Sequence, residues 1–367
     1  MKNGVLERVV EMKDERLEKL AQVLVEYSTH VQPGDTVCIS AEDGALPFIS
    51  AVARAAVKQG GIVKYYVDLP DVDAEILRNG NDTQIAQPNE RFGHCAQSDV
   101  WISAWGSRNT KTMANIDGEK LKLRRLANKE NRKVYSSRMG DGSLRWVGTQ
   151  FPTEGDAQAA GMSLEEYEDF VYRAGFLHEA DPVAKWQEMA QMQEKWIAYL
   201  NQKKELHIVA EGTDLTVGIA GRKWIGCSGQ ENFPDGEIFT SPVEDAVNGV
   251  ITFSYPAILN GHAFPKVCLK VEQGRIIEAT CADAAKNERL LSYIDTDEGS
   301  RYFGEVAIGT NYGIQQFTEN ILFDEKIGGS MHMAIGEAFQ EAGGKNESAI
   351  HWDMINNMCQ GGKIYAD

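Results

Sequence analysis

The sequence predicts an α/β protein in which an N-terminal doubly wound α/β domain precedes a C-terminal α+β domain. Its 367 residues exceed the usual size of one hydrophobic core and indicate two domains. Helix and strand patterns alternate through the first third, which favours a parallel sheet. From Leu206 onward, short strand patterns, frequent glycines and clustered polar residues replace this alternation. We therefore place the two domains at residues 1–190 and 191–367.

The N-terminal half alternates helices and strands. Apolar residues at helical spacing predict a helix over residues 14–30, which Pro33-Gly34-Asp35 terminates. An amphipathic helix is also expected over the first 20 residues. The elements that follow are predicted from β-branched runs and from helical spacing of apolar residues. They are the strand Thr36–Ser40, the helix Pro47–Lys58, the strands Ile62–Val67 and Val100–Ala104, the helix Gly118–Asn128 and the strand Lys133–Ser136.

Two helices are expected between the halves. Ser163 and Glu166 form a capping-box pattern near the start of a helix over Met162–Ala174. Pro182 opens a second helix that runs to about Gln202, so the boundary lies near residues 185–205. The strand patterns beyond it, antiparallel or mixed, are LHIVAEGTDLTVGI, GVITFSY and VCLKVEQGRIIEATC.

The composition excludes several classes of protein. Hydrophobic residues make up 43% of the chain and charged residues 25%, as in a soluble globular protein. No apolar run reaches the roughly 18–20 residues that span a bilayer, and the N-terminus lacks a signal-peptide pattern, so we expect a cytoplasmic protein without membrane contact. A net charge of −17 argues against binding nucleic acid. The six scattered cysteines are expected to be free thiols.

The C-terminal half concentrates carboxylates and imidazoles near apolar strand patterns. His351 and Asp353 are two residues apart, so in an extended segment both point to one face and can bind one metal ion together. Mixed nitrogen and oxygen ligands suit zinc, cobalt, manganese or iron better than calcium. The other candidates are Glu237, Glu305, Glu325 and His332. Because a carboxylate can bridge two ions, these six residues suffice for a two-metal hydrolytic centre.

Several motifs resemble those of the thermophilic-type metallo-aminopeptidases, the aminopeptidase T and aminopeptidase S group. They are NFPDGEIFTSPVEDAVNGVI, GEVAIGTN, NILFDE, HMAIGEAF and IHWDMI, in this order, with RLEKLAQVLVEYSTHVQPGD and AEGTDLTV upstream. The resemblance spans nearly the whole chain. It implies an N-terminal α/β domain packed on a C-terminal domain with two divalent ions (Zn, Co, Mn or Mg), a homodimer that encloses the active site, and peptide substrates with a free N-terminus.

The resemblance also assigns roles to residues. Glu237, Glu305, His332, His351 and Asp353 match metal ligands, with Glu305 as the bridge, and Glu325 matches an acidic position that binds metal or moves protons. Tyr312 matches a tyrosine near the metals and is expected to donate a hydrogen bond to the oxyanion. The implied reaction is attack of metal-activated water on the first peptide carbonyl, with Glu305 or Glu325 passing the proton to the leaving amine.

Two departures from the family pattern accompany this match. The segment KIGGSM between Glu325 and His332 is longer than usual. Phe339 stands where the family commonly has a tyrosine, seven residues after the first histidine. If that hydroxyl normally supports the reaction, this chain uses Tyr312 or another donor, or is slower.

Two other functions remain open at this point. His332, His351 and Asp353 also form a two-histidine, one-carboxylate triad, the ligand set of mononuclear Fe(II) oxygenases, and a ring-cleaving dioxygenase shares this scaffold. Glu237 and Glu305 count against it, because a single iron does not need these additional carboxylates. The second alternative is a binding protein with impaired catalysis, which Phe339 suggests and the retained ligand set disfavours.

Overall fold

The computed structural model describes residues 14–367 and confirms the predicted α/β fold. Its helices are α1 Glu15–Gln22, α2 Leu46–Lys58, α3 Pro70–Asn79, α4 Asp82–Ile85, α5 Glu90–Ala96, α6 Gly118–Ala127, α7 Lys129–Gly140, α8 Glu154–Ala159, α9 Leu164–Ala174, α10 Pro182–Leu200, α11 Asn287–Ile294 and α12 Ile321–Asp324. None of the helices formed by residues 14–367 has the length and apolar character needed to cross a membrane. The amphipathic helix expected over the first 20 residues lies mostly outside the described residues, which begin at residue 14.

The structure has eighteen strands within residues 14–367, and none of them is longer than seven residues. They are β1 Thr36–Glu42, β2 Ile62–Asp68, β3 Val100–Trp105, β4 Arg145–Gln150, β5 Glu205–Ala210, β6 Thr213–Gly218, β7 Ile225–Cys227, β8 Asn232–Phe233, β9 Glu237–Thr240, β10 Val247–Thr252, β11 Ala257–Leu259, β12 His262–Phe264, β13 Cys268–Glu272, β14 Arg275–Thr280, β15 Phe303–Gly309, β16 Ser330–Gly336, β17 His351–Asn357 and β18 Lys363–Ala366.

The first sheet is parallel and has the order β2-β1-β3-β4-β8. Its strands bury apolar side chains such as Val37, Ile102 and Val147 against α1 and α2, because a parallel sheet covered by helices excludes water from its strands. The fifth strand, β8, comes from residues 232–233, beyond the expected boundary near residue 190. The exact division into domains therefore remains a prediction.

Two large antiparallel sheets and the two-stranded sheet β11-β12 form the second half. One large sheet has the order β14-β13-β10-β6-β5-β18, and the other has the order β17-β16-β15-β9-β7. Apolar side chains from both sheets share one core cluster, which includes Leu215 and Ile251 from the first and Val306, Met333 and Trp352 from the second. The second sheet, called the site sheet below, thus has one face in this core and the opposite face free to carry polar groups.

One strand prediction was wrong. Lys133–Ser136 lies inside α7, and the fourth strand of the parallel sheet is β4. The short run KVYSS has strand propensity, but it is surrounded by charged residues that continue the helix in both directions. Tyr135 is positioned there by aromatic packing, with ring centroids 5.6 Å from Trp101 and 6.3 Å from Trp146. Tertiary packing therefore overrides local propensity at this place.

The expectation that all six cysteines are free thiols was also wrong. The structure joins Cys38 in β1 to Cys95 in α5 by a disulfide. Cys227, Cys268, Cys281 and Cys359 are free. The sequence did not indicate the pair because its members are 57 residues apart and meet only when α5 packs beside β1.

Candidate metal centre

The site sheet brings the predicted residues together through its strand register. Glu237 in β9 lies opposite Gly309 in β15, and His332 in β16 lies opposite Ala307. Asp353 in β17 in turn lies opposite Ala334 of β16. Because alternate residues of a strand share a face, the polar side chains all leave the sheet on the side away from the core. In these three pairs the opposite residue is a glycine or an alanine, which leaves room above the sheet.

Local backbone features place the two buried glutamates. A β-bulge between Phe303 and Glu305 changes the register of β15, and such bulges re-aim side chains. Gly304 allows this close pairing because a Cβ there would collide with the carbonyl oxygen of Glu337. Gly236 precedes Glu237 with φ +124°, and a Cβ there would lie 2.6 Å from the Cβ of Asn311. Glycine is therefore required immediately before each glutamate.

The ligand atoms converge in two groups that share Glu305. In one group, His351 Nε2 lies 3.0 Å from Glu305 Oε2 and 3.3 Å from Asp353 Oδ1. In the other, His332 Nε2 lies 3.4 Å from Glu237 Oε2 and 3.6 Å from Glu305 Oε1. Within each group the ligand atoms lie within 4.8 Å of one another. The two oxygens of Glu305 thus face different groups, which is the arrangement that a bridging carboxylate needs.

Backbone carbonyl groups orient both imidazole rings. His332 Nδ1 lies 3.1 Å from the carbonyl oxygen of Glu325, and His351 Nδ1 lies 2.8 Å from that of Glu337. A hydrogen bond of this kind fixes the tautomer of a metal-binding histidine and directs its other nitrogen to the ion. In both rings the nitrogen left over is Nε2, which faces the carboxylates.

Two buried carboxylate oxygens at the centre lack hydrogen bonds. Within residues 14–367, Glu237 Oε2 and Asp353 Oδ1 have no hydrogen-bond partner. A buried charged oxygen without a partner is costly, so native proteins pair such oxygens or use them to coordinate metal. Together with two directed imidazole nitrogens, these oxygens fit divalent ions bound by mixed nitrogen and oxygen ligands.

The clustered carboxylates and their burial shift the pKa values of the histidines and of Glu237. Burial disfavours the charged imidazolium of His351, but Asp353 and Glu305 outweigh it and raise the pKa of His351 to about 12. Burial also opposes the charged form of His332, whose pKa Glu305 and Glu237 raise to about 10. The pKa of Glu237 rises to about 8, chiefly because burial disfavours the carboxylate. Without metal, protons on the histidines therefore neutralise part of the charge.

Glu325 stands beside these groups together with a residue that the sequence interpretation missed. Its carboxylate forms a third cluster with His332 and Asp353, and it contacts the ammonium of Lys326. Lys326 is fully buried, and its Nζ lies 3.6 Å from Glu237 Oε1. The sequence signal for Lys326 was its position directly after two acidic residues, in the segment that is longer than usual.

A cleft of about 520 Å³ opens beside the centre and is lined by His351 and Asp353. Its opposite wall comes from the first half of the chain and includes Lys111, Asp156 and Tyr167. Asp324 also lines it and accepts hydrogen bonds from the backbone and side chain of Thr318, at 2.7 Å and 2.9 Å. The cleft therefore gives access to the ligand groups and is predominantly acidic.

Two aromatic positions differ in their relation to the centre. The ring of Phe339 lies 5.1 Å from that of His351 and 4.8 Å from that of Phe239, so it borders the ligand groups. Tyr312 is 60% exposed and lines a different cavity, together with Arg173 and Phe176. The structure thus brings together all six predicted metal-binding residues and leaves Tyr312 apart, so the position of Tyr312 does not support a catalytic role.

Comparison with known families agrees with the chemistry of this centre. The sequence model of the thermophilic metalloprotease (M29) family matches residues 13–362. The chain belongs to the M29 family. This membership confirms the resemblance expected from the motifs and the expected requirement for metal.

Named aminopeptidases are similar to this chain along almost their whole length. Aminopeptidase AmpS of Bacillus subtilis (strain 168) is 28% identical, over 93% of this chain and 92% of the relative. Aminopeptidase T of Thermus thermophilus is 27% identical, over 92% and 91%. The solved structure of wild-type AmpT from Thermus thermophilus has a TM-score of 0.83, with 26% identity over 96% of this chain and 94% of that one.

A second solved structure shares the scaffold only. The 2,5-dihydroxypyridine dioxygenase of Pseudomonas putida KT2440 has a TM-score of 0.56 and 14% identity, over 95% of this chain and 93% of that one. At this identity the likeness concerns the fold and carries no argument about chemistry. The dioxygenase alternative is therefore not favoured for this M29 chain.

Proposed function

We propose that this M29 metalloprotease is an aminopeptidase that releases N-terminal residues from peptides and uses two divalent ions. The observation that carries the proposal is the pair of ligand groups that share Glu305. One group would hold an ion through Glu305, His351 and Asp353, and the other through Glu237, Glu305 and His332. When bound, such ions supply Lewis acidity that polarises a carbonyl and lowers the pKa of bound water to about 7.

Glu325 is the side chain best placed to move protons. Both oxygens of Glu305 already face histidines, so that carboxylate is occupied as a ligand. Glu325 belongs to neither of the two groups that share Glu305, although it lies within reach of His332 and Asp353. Burial raises its pKa above the usual value for glutamate, which makes it a stronger proton acceptor. In this proposal Glu325 takes the proton from the attacking water and passes it to the leaving amine.

The acidic cleft supports a substrate with a free N-terminus. Asp156, Glu319 and Asp324 line it, whereas Lys111 is the only lysine or arginine among the lining residues that the structure describes. An ammonium group is attracted to such a surface, and the chain's net charge of −17 acts in the same direction. The homodimer and the cytoplasmic location expected from the sequence are part of the same proposal.

Hydrolysis of leucyl p-nitroanilide tests the proposal. The purified chain is stripped with a chelator and then given Zn, Co or Mn, each in the absence of oxygen. We expect release of nitroaniline with at least one of these ions, and no release from the N-acetylated substrate, which lacks the free amine. A chain that binds the ions but cleaves neither compound, nor any leucyl, alanyl or arginyl peptide, would contradict the proposal.

A further inference from the structure

Lys326 places a positive charge inside the proposed metal centre. Its side chain is 0% exposed, and its ammonium contacts Glu325 and lies 3.6 Å from Glu237 Oε1. These two carboxylates are its ion-pair partners within the described part of the chain. Removing a lysine ammonium from water is costly, and the two carboxylates compensate for that cost. The centre thus contains a cation of its own.

The ammonium does not affect the two ligand groups equally. Glu237, which belongs to the group with Glu305 and His332, is in contact with it. In the other group, Glu305, His351 and Asp353 contact one another and lie beyond ion-pair distance of Lys326 in the described structure. The sheet positions explain the difference, because Glu237 in β9 and Asp353 in β17 lie on opposite sides of β15 and β16.

A nearby positive charge weakens the binding of a second positive charge. Like charges repel more strongly in a buried site than in water, because the surroundings screen them less. An ion bound by Glu237 would share that carboxylate with the ammonium. An ion bound by Glu305, His351 and Asp353 would have no ligand that pairs with the ammonium. The two ions should therefore differ in affinity.

We propose that Lys326 makes the two metal positions unequal, so that one ion binds tightly at Glu305, His351 and Asp353 and the second binds weakly in competition with the ammonium for Glu237. This inference rests on the metal centre of the proposed function and adds a regulatory consequence to it. Occupancy of the second position, and with it the activity that needs two ions, then follows the concentration of free metal. The expected difference is on the order of 100-fold in dissociation constant.

Calorimetric titration of the chelator-stripped chain with Zn²⁺ and with Mn²⁺ tests the inference. For the wild type we expect one tight equivalent followed by one that is about 100-fold weaker. In Lys326→Met the second equivalent should bind at least about tenfold more tightly than in the wild type, because its competitor is gone. Lys326→Arg, which keeps the charge, should retain the inequality. Metal content after dialysis against a low metal concentration should rise from about one to about two per chain in Lys326→Met.

Lys270→Met is the matched control. Lys270 also pairs with a glutamate, Glu272 at 3.2 Å, but on the exposed surface of β13. This change should leave both metal affinities as they are in the wild type. Circular dichroism and thermal unfolding establish that each variant is folded, and Lys326→Gln serves as a second neutral variant if Lys326→Met does not fold.

Three results would overturn the inference. They are two equal affinities in the wild type, an unchanged second affinity in a folded neutral variant, and loss of the inequality in Lys326→Arg. The wild-type titration decides the first point without any variant. The titration also distinguishes a failure of this inference from a failure of the proposed function. Unequal ions in a chain that does not cleave peptides would contradict only the function, and equal ions in an active peptidase would contradict only this inference.

Discussion

Two cavities of about 520 Å³ each differ in how their carboxylates are paired. One is lined by the first half of the chain alone, and the other lies between the two halves. The first lies at the carboxyl ends of the parallel strands, where α/β proteins often bind ligands. There Glu42 accepts a hydrogen bond from Ser107 at 2.8 Å, and Asp73 pairs with Arg124 at 3.1 Å. The second cavity is the cleft beside the metal centre. At this centre Glu237 Oε2 and Asp353 Oδ1 are buried and accept no hydrogen bond from residues 14–367.

This difference shows that the location of a cavity in the fold and the pairing of its polar atoms predict a binding site independently. The first cavity has the expected topology, but the protein satisfies its carboxylates with its own donors. The second cavity has no topological signature, but its oxygen and nitrogen atoms are arranged for a group that the protein does not supply. Unsatisfied, directed ligand atoms therefore identify the metal centre better than cavity location does.

The largest effect is expected from removing the shared ligand. Glu305→Gln should lower kcat/KM for leucyl p-nitroanilide by about 1000-fold or more, because both ligand groups lose the same carboxylate. Metal content should fall in parallel. The matched change in the first cavity is Glu42→Gln, which should leave kcat/KM within about twofold of the wild type, since an amide oxygen can accept the same hydrogen bond. Equal losses in both variants, or retained metal and activity in Glu305→Gln, would contradict the contrast between the cavities.

Metal removal should destabilise the two halves unequally. An ion that binds only the folded chain stabilises it by about 2.7 kcal/mol at a concentration 100 times its dissociation constant. We expect the chelator-stripped chain to unfold at a lower temperature. Hydrogen exchange should increase in β9 and β15–β17 and stay unchanged in β1 and β3. An increase of similar size in the parallel sheet would mean that the ions do not act at the site sheet.

Protons should compete with metal in the second cavity alone. Near pH 7 His332 and His351 are protonated in the metal-free chain, since their carboxylate neighbours raise their pKa values to about 10 and about 12. Binding requires neutral imidazoles and an ionised Glu237, whose pKa is about 8, so near pH 7 it should release up to three protons per chain. It should weaken by about tenfold per pH unit for each of these groups as pH falls. Calorimetry in buffers of different ionisation enthalpy measures this release. Binding without proton release would contradict the assignment of the histidines as ligands.

The same pKa values fix the sign of a stability effect in the metal-free chain. A histidine whose pKa is raised on folding stabilises the folded state fully below its unfolded pKa of about 6.5. That contribution is lost as pH rises through the folded values, about 10 for His332 and about 12 for His351. Thermal unfolding of the metal-free chain should therefore shift to lower temperature from pH 7 to pH 10. The metal-loaded chain, whose histidines carry no proton, should not show this shift from these two groups.

The sequence predicted the parts of the centre that depend on strand periodicity. His351 and Asp353 share a face, as their spacing predicted, because they are two residues apart in β17. Five of the six predicted residues meet because β9, β15, β16 and β17 are neighbours, and Glu325 joins them from the end of α12. The motif order indicated this meeting through the family and not through local physics.

Other features depend on contacts between distant segments and were not predictable from local patterns. Lys326 was not among the predicted residues, and only folding buries it beside Glu237 and Glu325. Tyr312 follows β15 closely in sequence, but the chain turns there and leaves the side chain at the surface. The pair Cys38–Cys95 also requires packing of a helix on a strand that the sequence places 57 residues away.

The smallest effects are expected at the two aromatic positions, and they sharpen the boundary of the centre. Tyr312→Phe should leave the turnover rate within about twofold of the wild type, because Tyr312 is 60% exposed and lines a cavity that contains none of the proposed ligands. Phe339 contacts the ring of His351, so Phe339→Tyr adds a hydroxyl at the edge of the centre. That hydroxyl should raise the turnover rate by up to about tenfold if it reaches the developing oxyanion. Steady-state kinetics on both variants separates the two positions.

If Tyr312→Phe instead slowed turnover by about two orders of magnitude, the size of a lost oxyanion contact, Tyr312 would belong to the catalytic machinery. Its hydroxyl would then have to reach the cleft from another direction, as a second copy in a dimer could provide.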